Sequence, residues 1–192
     1  MANGGFCFEC QRCGTCCRGS SIGVPIFHRD FKRMSASLQV PEDSFLREFC
    51  SLHHYDYSVG SKTIIIPVLI LTRQTGQCPF LSVNSCSIHE FKPYYCSAAP
   101  FISILLQNRE WVEVCSGSCP GFGKGKCYSE QDIACYLARE MELQIEDLEV
   151  YNSGFYTYVT SILAGGVRDV PRQRTGTPGR AITVESPDRD LV

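Results

Sequence analysis

Cys7-Phe8-Glu9-Cys10-Gln11-Arg12-Cys13-Gly14-Thr15-Cys16-Cys17 holds five of the chain's 13 cysteines, most of them two residues apart. Two-residue gaps let neighbouring sulfurs converge on one metal or cluster. Backbone amides in such a turn can also donate to thiolates, and Gly14 relieves a tight path. Thiolate is a soft donor, so an all-sulfur site favours zinc or iron–sulfur over magnesium or calcium. The odd cysteine count cannot close fully into intramolecular disulfides. The stretch Met1 to Glu9 shows no basic segment followed by an apolar run, so no secretory leader is expected. The expected setting is therefore the cytoplasm, where cysteines in this pattern bind metal or do redox chemistry.

The rest of the composition is ordinary. The chain has 192 residues, 44% of them hydrophobic, which fits one domain and excludes wholesale disorder. Lys+Arg number 18 against 20 Asp+Glu, a net charge of −2. That balance argues against a dedicated nucleic-acid binder. No apolar run approaches the roughly 20 residues a transmembrane helix needs, so no membrane partner is expected.

Moving outward from the first cluster, the sequence predicts a helix from about His28 to Leu38, with Phe27, Phe31, Met34 and Leu38 at helical spacing. A second opens at Pro41, with Glu42 and Asp43 in its first turn and Phe45, Leu46 and Phe49 on its apolar face. Lys62 to Arg73 is β-rich, and Pro67 should make it an edge strand or split it. Phe101 to Leu106 and Trp111 to Cys115 read as a hairpin around Gln107 to Glu110. Ser129 reads as an N-cap with Glu130 and Asp132 behind it, and Ile133, Leu137 and Met141 recur at i+4. A further helical segment is expected from about Ile145 to Leu163, with Gly154 as a kink or division. The fold class expected is α+β: a small cysteine-rich domain over residues 1–166, with a short antiparallel sheet and a C-terminal helical segment packed over the cysteine-rich part. Residues 167–192 lack apolar periodicity and read as a disordered tail.

Two more cysteine patches follow. One runs Gly76-x-Cys78-Pro79-Phe80-Leu81, Cys86-x-Ile88-His89 and Lys92-Pro93-Tyr94-Tyr95-Cys96. The other runs Cys115-x-x-x-Cys119-Pro120-Gly121-x-Gly123-x-Gly125-x-Cys127. In order and spacing, these motifs with Cys10-x-x-Cys13-Gly14-x-Cys16-Cys17-Arg18 resemble the YkgJ family of cysteine-cluster proteins, whose CxxCxxCC domain is named for zinc or iron chelation. The resemblance spans roughly residues 6 to 127. It implies a metal domain more firmly than a reaction, although one branch is similar to flagellin lysine N-methylases. Eight cysteines match the pattern and are the metal-ligand candidates: Cys10, Cys13, Cys16, Cys17, Cys78, Cys86, Cys96 and Cys119. Two positions depart from it. Lys92 and Ser97 stand where the family usually has Arg, which should weaken charge neutralisation beside a thiolate site.

Eight thiolates allow two four-sulfur sites or one larger environment, and adjacent Cys16 and Cys17 could serve two sites or bridge one. The cofactor expected is an iron–sulfur cluster, with 4Fe-4S the candidate type; zinc is the alternative. The run from Cys7 copies a bacterial ferredoxin start but fails at its fourth ligand, where no Pro follows. Phe6, Phe8, Phe80, Tyr94, Tyr95, Phe101 and Phe122 are candidates to shield a cluster from water. Cys50 and Cys135 read as small core hydrophobes. Cys7, Cys115 and Cys127 read first as small buried hydrophobes and second as ligand candidates. His89 reads first as a turn residue and second as a replacement ligand. The adjacent side chains of His53 and His54 should diverge. Gly121 to Lys126 lacks Walker spacing, so phosphate binding is not expected. The functional expectation is a cysteine-ligated redox or electron-transfer protein with a protein redox partner or protein substrate. A structural zinc interaction module and a protein-modifying enzyme are the alternatives.

Overall fold

The computed structural model describes residues 6–18, 23–59, 62–83, 85–106 and 117–164. It begins with β1 (Phe6–Phe8), a 3-10 turn (Thr15–Cys17) and β2 (Gly23–Pro25). Helices α1 (His28–Leu38) and α2 (Glu42–Phe49) follow, then strands β3 (Cys50–Val59) and β4 (Lys62–Thr72). Next come β5 (Leu81–Ser82), β6 (Ser85–Cys86), a second 3-10 turn (His89–Phe91), α3 (Tyr94–Ala98) and α4 (Ser103–Leu106). The described chain ends with β7 (Phe122–Tyr128), α5 (Glu130–Asn152) and α6 (Phe155–Ala164). The class is α+β, as the residue patterns imply.

Three small antiparallel sheets form: β1-β7, β2-β4-β3 and β5-β6. The β3-β4 ladder runs in unbroken register from Cys50↔Leu71 to Val59↔Lys62, so Pro67 does not split the strand. Nor is β4 an edge strand throughout, because β2 covers Ile70 to Thr72. Pro67 is buried, yet its nitrogen needs no ladder partner on its free side. Leu69 turns its carbonyl toward β2, accepting from the Ile26 N–H at 2.9 Å. The period of two turns the nitrogen of Pro67 to the same side, beyond the reach of β2, where no ladder donor is required.

α1 and α2 carry the core. Phe31, Met34, Phe45 and Leu46 are fully buried, with Leu69 and Leu71 of β4, Phe80, Ile88 and Val159 of α6 packed among them. Each such side chain contributes about 1.5–3 kcal/mol of transfer free energy on burial. Phe45 stacks with Phe80 and Phe49 packs on it at a tilt, which places the loop carrying Cys78 directly on this core. α1 ends where Gln39 takes a left-handed conformation and Val40 N–H reaches back to the Ser35 carbonyl.

The hairpin expectation is corrected. Ser103 to Leu106 is helical rather than the first arm of a hairpin. The Ser103 N–H and hydroxyl are both drawn to the Glu140 carboxylate, at 2.8 and 2.6 Å, which fixes the chain in a turn there. The proposed second arm and its loop lie outside the described residues, as does the 167–192 tail. The first cysteine run carries β1 and a 3-10 turn.

Finally, α5 runs unbroken past Ile145 to Asn152, and its N-terminus is the expected cap. Ser129 Oγ accepts from the Asp132 N–H, while Asp132 accepts in return from the Ser129 N–H. Gly154, at φ +87°, is the division before α6. The inward face of α5 is not the Ile133–Leu137–Met141 series, and Met141 is exposed. Glu140 and Leu143 are the buried residues instead.

Candidate metal centre

The 3-10 turn that carries Cys16 and Cys17 begins after Gly14, whose φ of +75° suits a residue without Cβ. Cys17 N–H returns to the Gly14 carbonyl at 3.0 Å. The Cys17 carbonyl accepts from the Cys78 N–H at 2.8 Å, docking the second cysteine segment on the first. Two guanidinium groups hold the same backbone. Arg73 donates to the Cys16 carbonyl at 2.8 Å, and Arg18 donates to those of Cys13 and Val83. Cys86 ends β6 opposite Leu81, and Cys96 lies in the short helix α3.

The placement of α3 depends on a buried carboxylate that sequence reasoning missed. Asp30 of α1 accepts from the Tyr94 N–H at 3.0 Å, at the first residue of α3. Its other oxygen takes Arg33 at 2.8 Å, and Arg33 also donates to the Lys92 carbonyl at 2.7 Å. The Asp30–Arg33 pair thus clamps the Lys92–Tyr94 segment two residues before Cys96. Burial raises the Asp30 pKa above the usual carboxylate range.

These elements bring Cys16, Cys17, Cys78, Cys86 and Cys96 together. Cys17 shares thiol hydrogen bonds with both Cys16 and Cys78. The charges of Cys86 and Cys96 are felt at the Cys78 sulfur, and those of Cys16, Cys17 and Cys86 at Cys96. Hydrogen bonding to Cys17, then desolvation, raises the Cys16 pKa strongly. Desolvation raises Cys96 to about 12. Cys78 is lowered, chiefly by its hydrogen bond with Cys17. The Lys92 ammonium pulls the pKa down at both Cys16 and Cys96, so a cation does serve this position although it is not Arg. Ser97 instead bonds within α3, to the Pro93 and Tyr94 carbonyls.

The other three predicted ligands stand differently. Cys13 lies within the field of Cys16, and its thiol is held low by hydrogen bonds from Thr15, whose hydroxyl is 3.3 Å away. Cys10 is exposed and lines a separate cavity of about 320 Å³ with Phe8, Glu9, Tyr128 and Tyr136. Cys119 is half-buried just before β7. Among the secondary candidates, Cys7 and Cys127 face each other across β1 and β7 and form a disulfide, so neither offers a thiolate. Cys50 is buried as expected, whereas Cys135 is exposed on α5 rather than in the core. Cys115 lies outside the described residues.

The aromatic residues divide between two places. Phe6, Phe8, Phe101 and Phe122 cluster with one another beneath the β1-β7 pair, and Phe80 stays with the main core. His53, bonded to Ser51, and exposed His54 diverge along β3.

Among the described residues no three His, Cys, Asp or Glu side chains already stand in coordinating arrangement. The thiols bond to one another in a chain instead of pointing at a common centre. The donor set still fits a soft metal: five sulfurs from three chain segments, with cations at their border.

Two further acids tie α5 to this unit, Glu140 buried and Asp147 half-buried. Glu140, 2% exposed, accepts from Tyr95 next to Cys96 and from Ser103. Asp147 accepts from the His28 N–H at the start of α1 and from the Tyr156 hydroxyl. The available sequence signal was the stripe Tyr136–Glu140–Leu143–Asp147, which has helical spacing but includes two acids.

Residues 9–120, more than half of the chain, match the family model CxxCxxCC, described as a "putative zinc- or iron-chelating domain". The matched span contains all eight predicted ligands and leaves out Cys7 and Cys127. No curated protein and no solved structure matches the chain. Among the described residues no helix is long and apolar enough to cross a membrane.

Proposed function

From the premise that this chain belongs to the CxxCxxCC family, we propose that Cys16, Cys17, Cys78, Cys86 and Cys96 supply the ligands of one iron–sulfur centre in a redox protein. The observation that carries this is the convergence of five thiols from three separate segments, with Cys17 bonded to both Cys16 and Cys78. Adjacent Cys16 and Cys17 therefore serve one site rather than two. When bound, the cluster would supply one-electron chemistry. The chain's own part is to bring the thiols together, to hold their backbone with Arg18 and Arg73, and to offset their charge with Lys92.

The partner proposed is a redox protein docking near exposed Cys16. The compartment proposed is the cytoplasm, where free thiols in such number persist. A second reading, a structural zinc centre, is favoured by the same junction, because it staples three segments of a small domain.

Anaerobic purification followed by an optical spectrum and metal analysis separates the two. Broad visible absorption that bleaches on reduction, with iron and acid-labile sulfide, is the expected result. A colourless protein with stoichiometric zinc overturns the cluster reading and leaves the zinc one.

A further inference from the structure

α5 packs one face inward, through buried Glu140 and Leu143. Its opposite face is not uniformly polar. Ala134, Ala138, Met141, Ile145 and Leu148 follow one another at gaps of four, three, four and three residues, and all five are exposed. Met141 is 63%, Ile145 53% and Leu148 47% exposed. That alternation of gaps is the seam by which one helix packs along another. Single exposed apolar side chains are ordinary, but three large ones in register on one helix mark an interaction face. The seam runs for about 20 Å along the helix axis.

One border of the seam carries charge of a single sign. Glu142, Glu146 and Glu149 lie along it and are exposed. α5 has seven acids and one basic residue, Arg139, which is already engaged along the helix with Glu142 at 2.6 Å and Glu146 at 3.5 Å. A partner that covers the seam must therefore bring positive charge to this border. A second copy of the chain brings none. Paired antiparallel, it sets the acidic row against itself; paired parallel, it sets that row against Leu137 and Gln144. An amphipathic helix with apolar anchors at the matching spacing and Lys or Arg beside them meets both demands.

We propose that the outward face of α5 docks such a helix of another protein, its basic border lying against Glu142, Glu146 and Glu149. α5 lies beyond residues 9–120, so this face is outside the span matched to the metal-chelating family and stands apart from the metal reading.

The test uses the full chain and two fluorescent helical peptides with Leu at the same heptad positions, one with Lys on the seam borders and one with Glu. In fluorescence anisotropy the Lys peptide is expected to bind about tenfold more tightly than the Glu peptide, with the gap closing as salt approaches roughly 1 M. Met141→Gln combined with Ile145→Gln should weaken Lys-peptide binding by about tenfold or more. Helix content should be unchanged by circular dichroism, because both side chains are exposed. Glu142→Gln, Glu146→Gln and Glu149→Gln together should bring the two peptides to equal affinity. Failure of the Lys peptide to bind, or equal binding of both peptides by the native chain, overturns the proposal. Lys-peptide binding that survives the Met141 and Ile145 substitutions places the peptide elsewhere and does the same. Sedimentation of the native chain as a dimer that Ile145→Gln returns to monomer assigns the face to a second copy and also overturns it.

Discussion

At the cysteine junction Cys17 hydrogen-bonds to both Cys16 and Cys78, and the pKa values of the thiols are pushed apart. Along α5 the inward carboxylates are engaged: buried Glu140 takes three donors and half-buried Asp147 takes two. Both regions bury polar groups at real cost. Glu140 has donors within the chain for both its oxygens, whereas the two donors of Asp147 do not offset its desolvation, and its pKa stays raised. Of the two regions, the first is the one proposed above to hold a metal; the second ties α5 to the rest of the fold.

The largest expected effect breaks the first region alone. Cys17→Ser removes the sulfur shared with Cys16 and Cys78 and should reduce Zn(II) affinity by about 100-fold or more in chelator competition. Amide exchange in α5 should be unchanged. Retained affinity would remove Cys17 from the ligand set.

Glu140→Ala should act on the other side. It strands Tyr95 and Ser103 and should cost about 3 kcal/mol in denaturant unfolding. Metal stoichiometry should survive wherever the chain is folded. A cost within experimental error would show that the three hydrogen bonds are not maintained in solution.

Cys7→Ser removes a cross-link that spans 120 residues and should cost about 2–4 kcal/mol. The variant should still bind metal, because neither Cys7 nor Cys127 belongs to the junction. Loss of metal would return Cys7 to the ligand candidates.

The smallest effect is a pH dependence. Burial raises the Asp147 pKa to about 6, while an unfolded Asp titrates near 3.9. Between those values the folded chain holds the extra proton, so stability falls as pH rises from about 4 to 6. Relative to Asp147→Asn, the native chain should lose roughly 2 kcal/mol across that window. The same slope in both proteins would discount Asp147 and shift attention to Asp30, whose pKa is also raised.

The two regions were unequally legible in the sequence, for a physical reason. Cysteine is scarce in most chains, so thirteen of them in spaced runs announce a soft-metal site, and five of the eight predicted ligands do converge. α1 was readable to its ends, because Phe31 and Met34 repeat at helical spacing. The buried acids were hidden, because Asp and Glu are ordinarily solvated and pattern reasoning discards them from a core stripe. On α5 that preference selected the face of Met141 over the face of Glu140. The 101–106 hairpin failed for the same reason, since its helical alternative depends on Glu140, thirty-seven residues further along the chain. Which cysteines share a site was equally illegible, because it rests on a Cys17–Cys78 backbone bond between distant segments.

The pairing of β1 with β7 sets Phe6 beside Tyr128, so the segment containing every predicted ligand enters and leaves at neighbouring points. The two ends of that segment are therefore held at one place, and the chain that leaves it folds back onto what it has just closed: Glu140 and Asp147 of α5 bond to Tyr95, Ser103 and His28, and Val159 of α6 lies in the same core as Phe31 and Phe45.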